Sequence, residues 1–121
     1  MPVLTKANKA FAEEFRKTYN RQPKSGALYG LLVANFIANS YRKAGKVDKE
    51  KFIDAMEGMT LDTPVGPMEM RACDHQIALP MFFGVTKKSP QYEHLVAGDV
   101  ISVPGKDYLP SCDDVKKARA K

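Results

Sequence analysis

Asp62-Thr63-Pro64-Val65-Gly66-Pro67, separated by Met68-Glu69-Met70 from Arg71-Ala72-Cys73-Asp74-His75-Gln76, marks the place where this chain changes architecture. Two prolines around a Val-Gly pair form a turn signal, because Pro fixes φ and Gly accepts backbone angles that other residues resist. The Met-Glu-Met-Arg run alternates apolar and polar side chains, as a half-buried strand does. From residue 60 onward, Pro80, Gly84, Pro90, Gly98, Pro104 and Gly105 punctuate short extended runs. The next strand candidates are 77–86 and 96–103. Asp74-His75-Gln76 reads as a turn that hydrogen-bonds one strand to the next.

Upstream of residue 60 the period is helical. In residues 8–20, Phe11, Phe15 and Tyr19 recur every fourth position and share a face, and Gln22-Pro23 ends the helix. Ser25-Gly26 opens a second helix over 27–44, with Leu28, Leu31, Leu32, Asn35, Phe36 and Asn39 on a broad face and Gly45 as its stop. Asp48 is an N-cap for a third helix over 49–57, with Phe52, Ile53 and Met56 inward. Ser111 and Asp114 form a capping box for a short tail helix. The order is three helices, a small set of strands, then a tail helix. Residues 1–59 form a helical segment and 60–121 a strand-rich one.

The second helix has an energetic consequence. Leu31, Leu32, Val33, Phe36 and Ile37 point in several directions, so the helix requires cover on more than one side. Burying each Leu or Phe is worth about 1.5–3 kcal/mol, and the strands that follow are few and short. Either the chain self-associates, with a homodimer the simplest case, or it is a piece of something larger.

Composition narrows the classes. A chain of 121 residues suits one domain rather than two. The longest apolar run, 27–38, is interrupted by Gly30 and Asn35 and is too short to span a bilayer. Residues Met1-Pro2-Val3-Leu4 are too short for the apolar core of a secretory signal. Taken literally this start implies a cytoplasmic protein, but it equally fits the beginning of a piece of a longer one. The net charge of +5 directs attention to nucleic acid or an acidic protein partner. Yet the excess gathers at Lys116, Lys117, Arg119 and Lys121, while other lysines alternate with acids, as in Asp48-Lys49-Glu50-Lys51. Nucleic-acid platforms interleave exposed aromatics with basic residues, whereas Phe11, Phe15 and Phe36 here fall at core periodicity. A small basic self-associating module remains the alternative function. No glycine-rich phosphate loop, carboxylate pair or triad context points to an enzyme.

Several of these runs, in order, resemble one family. They are Phe11-Ala12-Glu13-Glu14-Phe15 through Tyr19 with Gln22-Pro23, then Ser25-Gly26-Ala27-Leu28-Tyr29-Gly30 with Lys43-Ala44-Gly45. Val47-Asp48-Lys49-Glu50-Lys51-Phe52 and Ala55-Met56-Glu57-Gly58-Met59 follow. The Asp62–Pro67 turn, Arg71–Gln76 and Leu79-Pro80-Met81-Phe82-Phe83-Gly84-Val85 complete the series. Together they resemble the type I periplasmic solute-binding proteins of branched-chain amino acid transporters, whose turn and strand pair read D-T-P-x-G-P and R-x-x-D-H-Q. The likeness extends from about Phe11 to Cys112, and the turn and strand pair at this distance are its most specific part.

The resemblance implies an α/β fold of two lobes closing on a ligand, of which this chain is a C-terminal portion, one partial periplasmic-binding domain. It implies a small amino-acid-like ligand, an ABC-transporter permease as membrane partner, a periplasmic location, no cofactor and no nucleic acid. Family members present the start of the second helix to the cleft, so Tyr29 and Leu28 are the implied ligand-binding residues, although a Tyr packed on the first helix is the other reading. The charge-poor surroundings of Tyr29 suggest a ligand with an apolar or amide side chain. In an oxidising compartment Cys73 and Cys112 would form a disulfide closing a loop of about forty residues, worth roughly 2–4 kcal/mol; in a reducing one they remain free thiols. Cys73, His75, His94 and Cys112 lack the paired short spacings of a structural zinc site.

Overall fold

The computed structural model describes residues 5–120. Residues 1–4 and Lys121, the last of the basic tail cluster, lie outside them. Helices α1 (Lys6–Tyr19), α2 (Ser25–Ala44) and α3 (Lys49–Met56) come first. They are followed by the hairpin β1 (Thr60–Thr63) and β2 (Gly66–Glu69), a second hairpin β3 (Met81–Ser89) and β4 (Tyr92–Val103), a 3-10 turn at Gly105–Asp107 and helix α4 (Cys112–Arg119). Both hairpins are antiparallel and form separate two-stranded sheets. The architecture is α/β, with the order the sequence predicts.

Local chemistry sets the boundaries. The Thr5 side chain caps α1 by accepting from the Asn8 amide at 3.0 Å, and its hydroxyl donates to the Pro64 carbonyl at 2.6 Å. One residue therefore ties the start of α1 to the turn of the first hairpin, 59 positions away. Asp48 caps α3 through the Lys51 amide at 3.0 Å, and Ser111 caps α4 through the Asp114 amide at 3.1 Å. Gly45 closes α2 at φ 72°, where a Cβ would be strained.

The Asp62–Pro67 run is the turn it promised to be. Thr63 pairs with Gly66 across a two-residue loop, and the Thr63 hydroxyl donates to the Gly66 carbonyl at 2.6 Å. Gly66 stands at φ 107°, a value that favours glycine. Pairing continues past the hairpin as the Met70 amide donates to Met59 and the Gly58 amide to Met70. The candidate strand 77–86 divides at Pro80, which has no N–H for a ladder. Ile77 makes an isolated bridge to Met70, and β3 begins at Met81.

The core joins both sides of residue 60. Leu28, Leu32 and Phe36 of α2 pack with Met59, Met68 and Met70, and Phe11, Met56, Leu61 and Ile77 border them. The buried row on α2 has a spacing of four and ends at Ser40, whose hydroxyl donates to the Phe36 carbonyl at 2.7 Å. That row is narrower than the broad face expected from the sequence: Asn35 is exposed, and Leu31 and Asn39 are half-buried. On α3 the inward residue is Ala55 rather than Ile53, which is 41% exposed. Positions 52, 55, 56 and 59 follow the helical period, and position 53 falls off it. Of the three α1 aromatics only Phe11 borders the core, Asn8 is buried one turn before it, and Tyr19 is 58% exposed. Phe11, Phe15 and Tyr19 instead stack on one another, with ring centroids 6.0 and 4.5 Å apart.

Candidate functional site

Residues Leu28 and Tyr29 occupy adjacent positions near the start of α2, rotated by about 100° from each other. That rotation separates their surroundings. Leu28 is 2% exposed and belongs to the core cluster, whereas Tyr29 is 51% exposed. Among the described residues the ring contacts on the aromatic face of α1 are Phe11–Phe15 and Phe15–Tyr19, and the Tyr29 ring is not part of that stack.

From Tyr29 an apolar row runs along α2 at intervals of four: Val33, Ile37 and Tyr41, each more than a third exposed. Beside it Gly26 and Gly30 are open, since a Cβ built on either would meet nothing within 4 Å. The result is an exposed apolar row with a phenol hydroxyl at each end, Tyr29 and Tyr41. Such a surface can contact an apolar group closely and hydrogen-bond through its two phenols, but it encloses nothing by itself.

Elsewhere among the described residues lie two concavities of about 410 Å³ each. One is bordered by Val65, Pro67, Ala78, Pro80, Ser102 and Pro104, between the first hairpin and the end of β4. The other lies between α1 and the tip of the second hairpin, where Gln22, Gln91, Tyr92 and His94 contribute amides, a hydroxyl and an imidazole. Neither includes Leu28 or Tyr29. Both escaped the sequence reading, because elements far apart in the chain build them; the clustered prolines and Gly105 around the first were its only sequence signal. A Cβ on Gly105 would come within 2.6 Å of the Ala78 backbone, so this glycine lets the 3-10 turn close on that wall.

The cysteines are joined. Cys73 and Cys112 form a disulfide with Cα atoms 5.6 Å apart, which ties the start of α4 to the loop after Met70. Their sulfurs are therefore not available to zinc, and the two histidines go separate ways. His75 contacts Glu57 at 2.7 Å, and His94 lies 5.3 Å from the Tyr92 ring. Among the described residues no group of three or more His, Cys, Asp or Glu is placed to hold a metal ion. None of the described helices is long and apolar enough to cross a membrane.

The 71–76 loop acts as the turn inferred from its sequence. The Arg71 amide donates to the Gln76 carbonyl and the His75 amide to the Arg71 carbonyl, both at 2.9 Å. His75 adopts φ 57° to close it. Asp48 is the carboxylate with a clear electrostatic bias: the Lys51 backbone N–H, then the Lys46 ammonium, hold it below the usual carboxylate range.

With this geometry in place, the relatives give the class. The model of the periplasmic binding protein family matches residues 2–90 of the chain, and the chain belongs to that family, whose members are solute-binding proteins. Among sequence relatives, the Leu/Ile/Val-binding protein homolog 4 of Brucella abortus is 33% identical over 79 residues, covering 62% of this chain and 19% of the relative. Among solved structures, an ABC-type branched-chain amino acid transporter protein from Rhodopseudomonas palustris superposes with a TM-score of 0.77. It is 30% identical and covers 88% of this chain and 29% of its own. The closed leucine-, isoleucine-, valine-, threonine- and alanine-binding protein of Brucella ovis shares the fold at a TM-score of 0.70 and 21% identity, over 92% of this chain and 30% of its own. The chain thus spans about a fifth of that sequence relative and under a third of those structures. None of these relatives supports the alternative of a nucleic-acid or acidic-partner module.

Proposed function

We propose that this chain is the C-terminal part of an extracytoplasmic solute-binding protein that captures an amino acid or related small polar solute in the periplasm and delivers it to the permease of an ATP-driven importer. The observation that carries this reading is the family match over residues 2–90, joined to the superposition on a branched-chain amino acid transporter protein at 30% identity. Capture of this kind requires lobe closure over a ligand and no bond-making chemistry.

In this reading residues 1–59 supply helices of one lobe, and 60–121 supply the strand-rich segment and its tail. Tyr29 borders the ligand with its ring and hydroxyl, whereas Leu28, implied with it by the resemblance, is 2% exposed in the core and is left out of the ligand surface. The uncharged row beyond Tyr29 favours a ligand with an apolar or amide side chain. On its own, the chain covers the Tyr29–Tyr41 row by self-association.

A thermal-shift panel of amino acids, amides and small aromatic acids, run on the full-length protein, tests the assignment. An upward shift with an apolar or amide amino acid is expected, and Tyr29→Ala should weaken it. No shift with any member of the panel would overturn it.

A further inference from the structure

The attachment of α4 is unusually dependent on covalent chemistry. Within α4 only Val115 is half-buried, and every other residue is exposed. Apart from the disulfide, two hydrogen bonds to the loop around Cys73 flank its ends: Arg71 donates to the Pro110 carbonyl and Arg119 to the Cys73 carbonyl, each at 2.8 Å. A helix of eight residues is marginal in water without packing to support it.

Arg71 is also the charge nearest the sulfurs. Its Nη2 lies 3.3 Å from Cys73 Sγ and 3.8 Å from Cys112 Sγ. The guanidinium is held there by Asp74, 3.0 Å away, in an ion pair whose side chains are 12% and 4% exposed. This pair is a contact of opposite charges rather than an aligned hydrogen bond, since Asp74 Oδ2 has no hydrogen-bond partner of proper geometry. Cys112 is exposed and Cys73 half-buried. The two cysteines are therefore unequal: Cys112 is the more exposed residue, and the Cys73 sulfur lies nearer the guanidinium.

We propose that Cys73–Cys112 is a directional, reductively releasable tether for α4, with Cys112 the sulfur attacked and Cys73 the leaving thiolate. A thiolate of a dithiol reductant bonds to Cys112 Sγ as the Cys73–Cys112 bond breaks, and the electron pair leaves on Cys73, where the Arg71 guanidinium stabilises the charge. The reductant's second thiolate then attacks its own sulfur in the mixed disulfide, releasing Cys112 as a thiolate. The dithiol is oxidised to a disulfide, the protein gains two electrons, and its two thiolates take up protons. Helix α4, with Lys116, Lys117 and Arg119, is then free to leave the Arg71–Asp74 pair.

Three measurements on the intact chain test this. Limiting glutathione, quenched with iodoacetamide and mapped by peptide mass, should place the mixed disulfide on Cys112 and the alkyl group on Cys73; equal or reversed labelling overturns the direction. Reduction by dithiothreitol should be about three- to ten-fold slower in Arg71→Gln, with Arg71→Lys between it and the unaltered chain. An unchanged rate in both variants overturns the role of Arg71. Should Arg71→Gln lose amide protection in α2, Arg71→Lys alone decides, and it must still be slower. Full reduction should abolish hydrogen-exchange protection in 112–119 while 25–44 keep theirs; protection retained in 112–119 overturns the tether.

Discussion

Two rows of side chains on α2, one residue out of phase, meet different fates. Leu28, Leu32, Phe36 and Ser40 are buried against the first hairpin and its flanks, whereas Tyr29, Val33, Ile37 and Tyr41 are 38–53% exposed. The chemistry of the two rows is similar; what differs is how much of each the rest of the chain covers. The buried row has Met59, Met68 and Met70 against it, while in the exposed row Tyr29 stands beside two open glycines and Tyr41 meets the Phe52 ring at 4.6 Å between centroids. An apolar helical stripe of this length is built to be covered. The buried row completes a core within the chain, and the exposed row runs beside it without burial, in a chain that spans 29% of a structural relative.

The comparison breaks first at the buried row. Phe36, at 2% exposure, should cost about 3–5 kcal/mol when replaced by Ala, because the loss of burial and the resulting cavity add. Urea unfolding followed by circular dichroism measures it, and a cost below that of a surface change would mean the row is not a core. Next comes the tether between the core loop and the tail. Replacing Cys73 and Cys112 together by Ser should lower stability by about 2–4 kcal/mol, given a separation of 39 positions in the chain. The same urea titration reads it.

A smaller effect is expected at the N-terminus of α3. Asp48→Ala removes the side chain that accepts from Lys51 and should lower stability by less than loss of the disulfide does, as the same urea titration reads. The Asp48 carboxyl is held below its ordinary value by the Lys51 amide and then by Lys46. Its contribution is therefore present above the unfolded-state value and is lost as pH falls through the lower folded one. The difference in stability between Asp48→Ala and the unaltered chain should shrink over that acid range, and an undiminished difference there would contradict the cap.

The smallest effect on stability belongs to the exposed row. Val33→Asn with Ile37→Asn should change the unfolding free energy of the monomer by no more than about 0.5 kcal/mol. It should nevertheless abolish self-association. A large loss of monomer stability would show that this row already has cover within the chain.

Much of this was legible in the sequence because it is local. The Asp48 and Ser111 caps, the Gly45 stop and the Thr63–Gly66 turn each depend on a few adjacent residues. The family resemblance, carried by ordered short runs, was legible for the same reason, and it supplied the Cys73–Cys112 pairing. Phase was harder to read. Ile53, expected inward, is exposed on α3 where Ala55 is buried, and the α2 core face is one row rather than a broad band, since one residue of rotation decides which side meets the hairpin. The start of β4 at Tyr92 gave no signal: residues 92–95 are all exposed, so burial imposes no alternation on them. The two 410 Å³ concavities were invisible because their walls come from segments that only the fold brings together.

Light scattering on the isolated chain at micromolar concentration tests most directly whether the Tyr29–Tyr41 row is an unfinished interface. The account predicts a mass of a dimer or larger that falls to the monomer in the Val33→Asn, Ile37→Asn double variant. A compact monomer from the unaltered chain at the same concentration would contradict it.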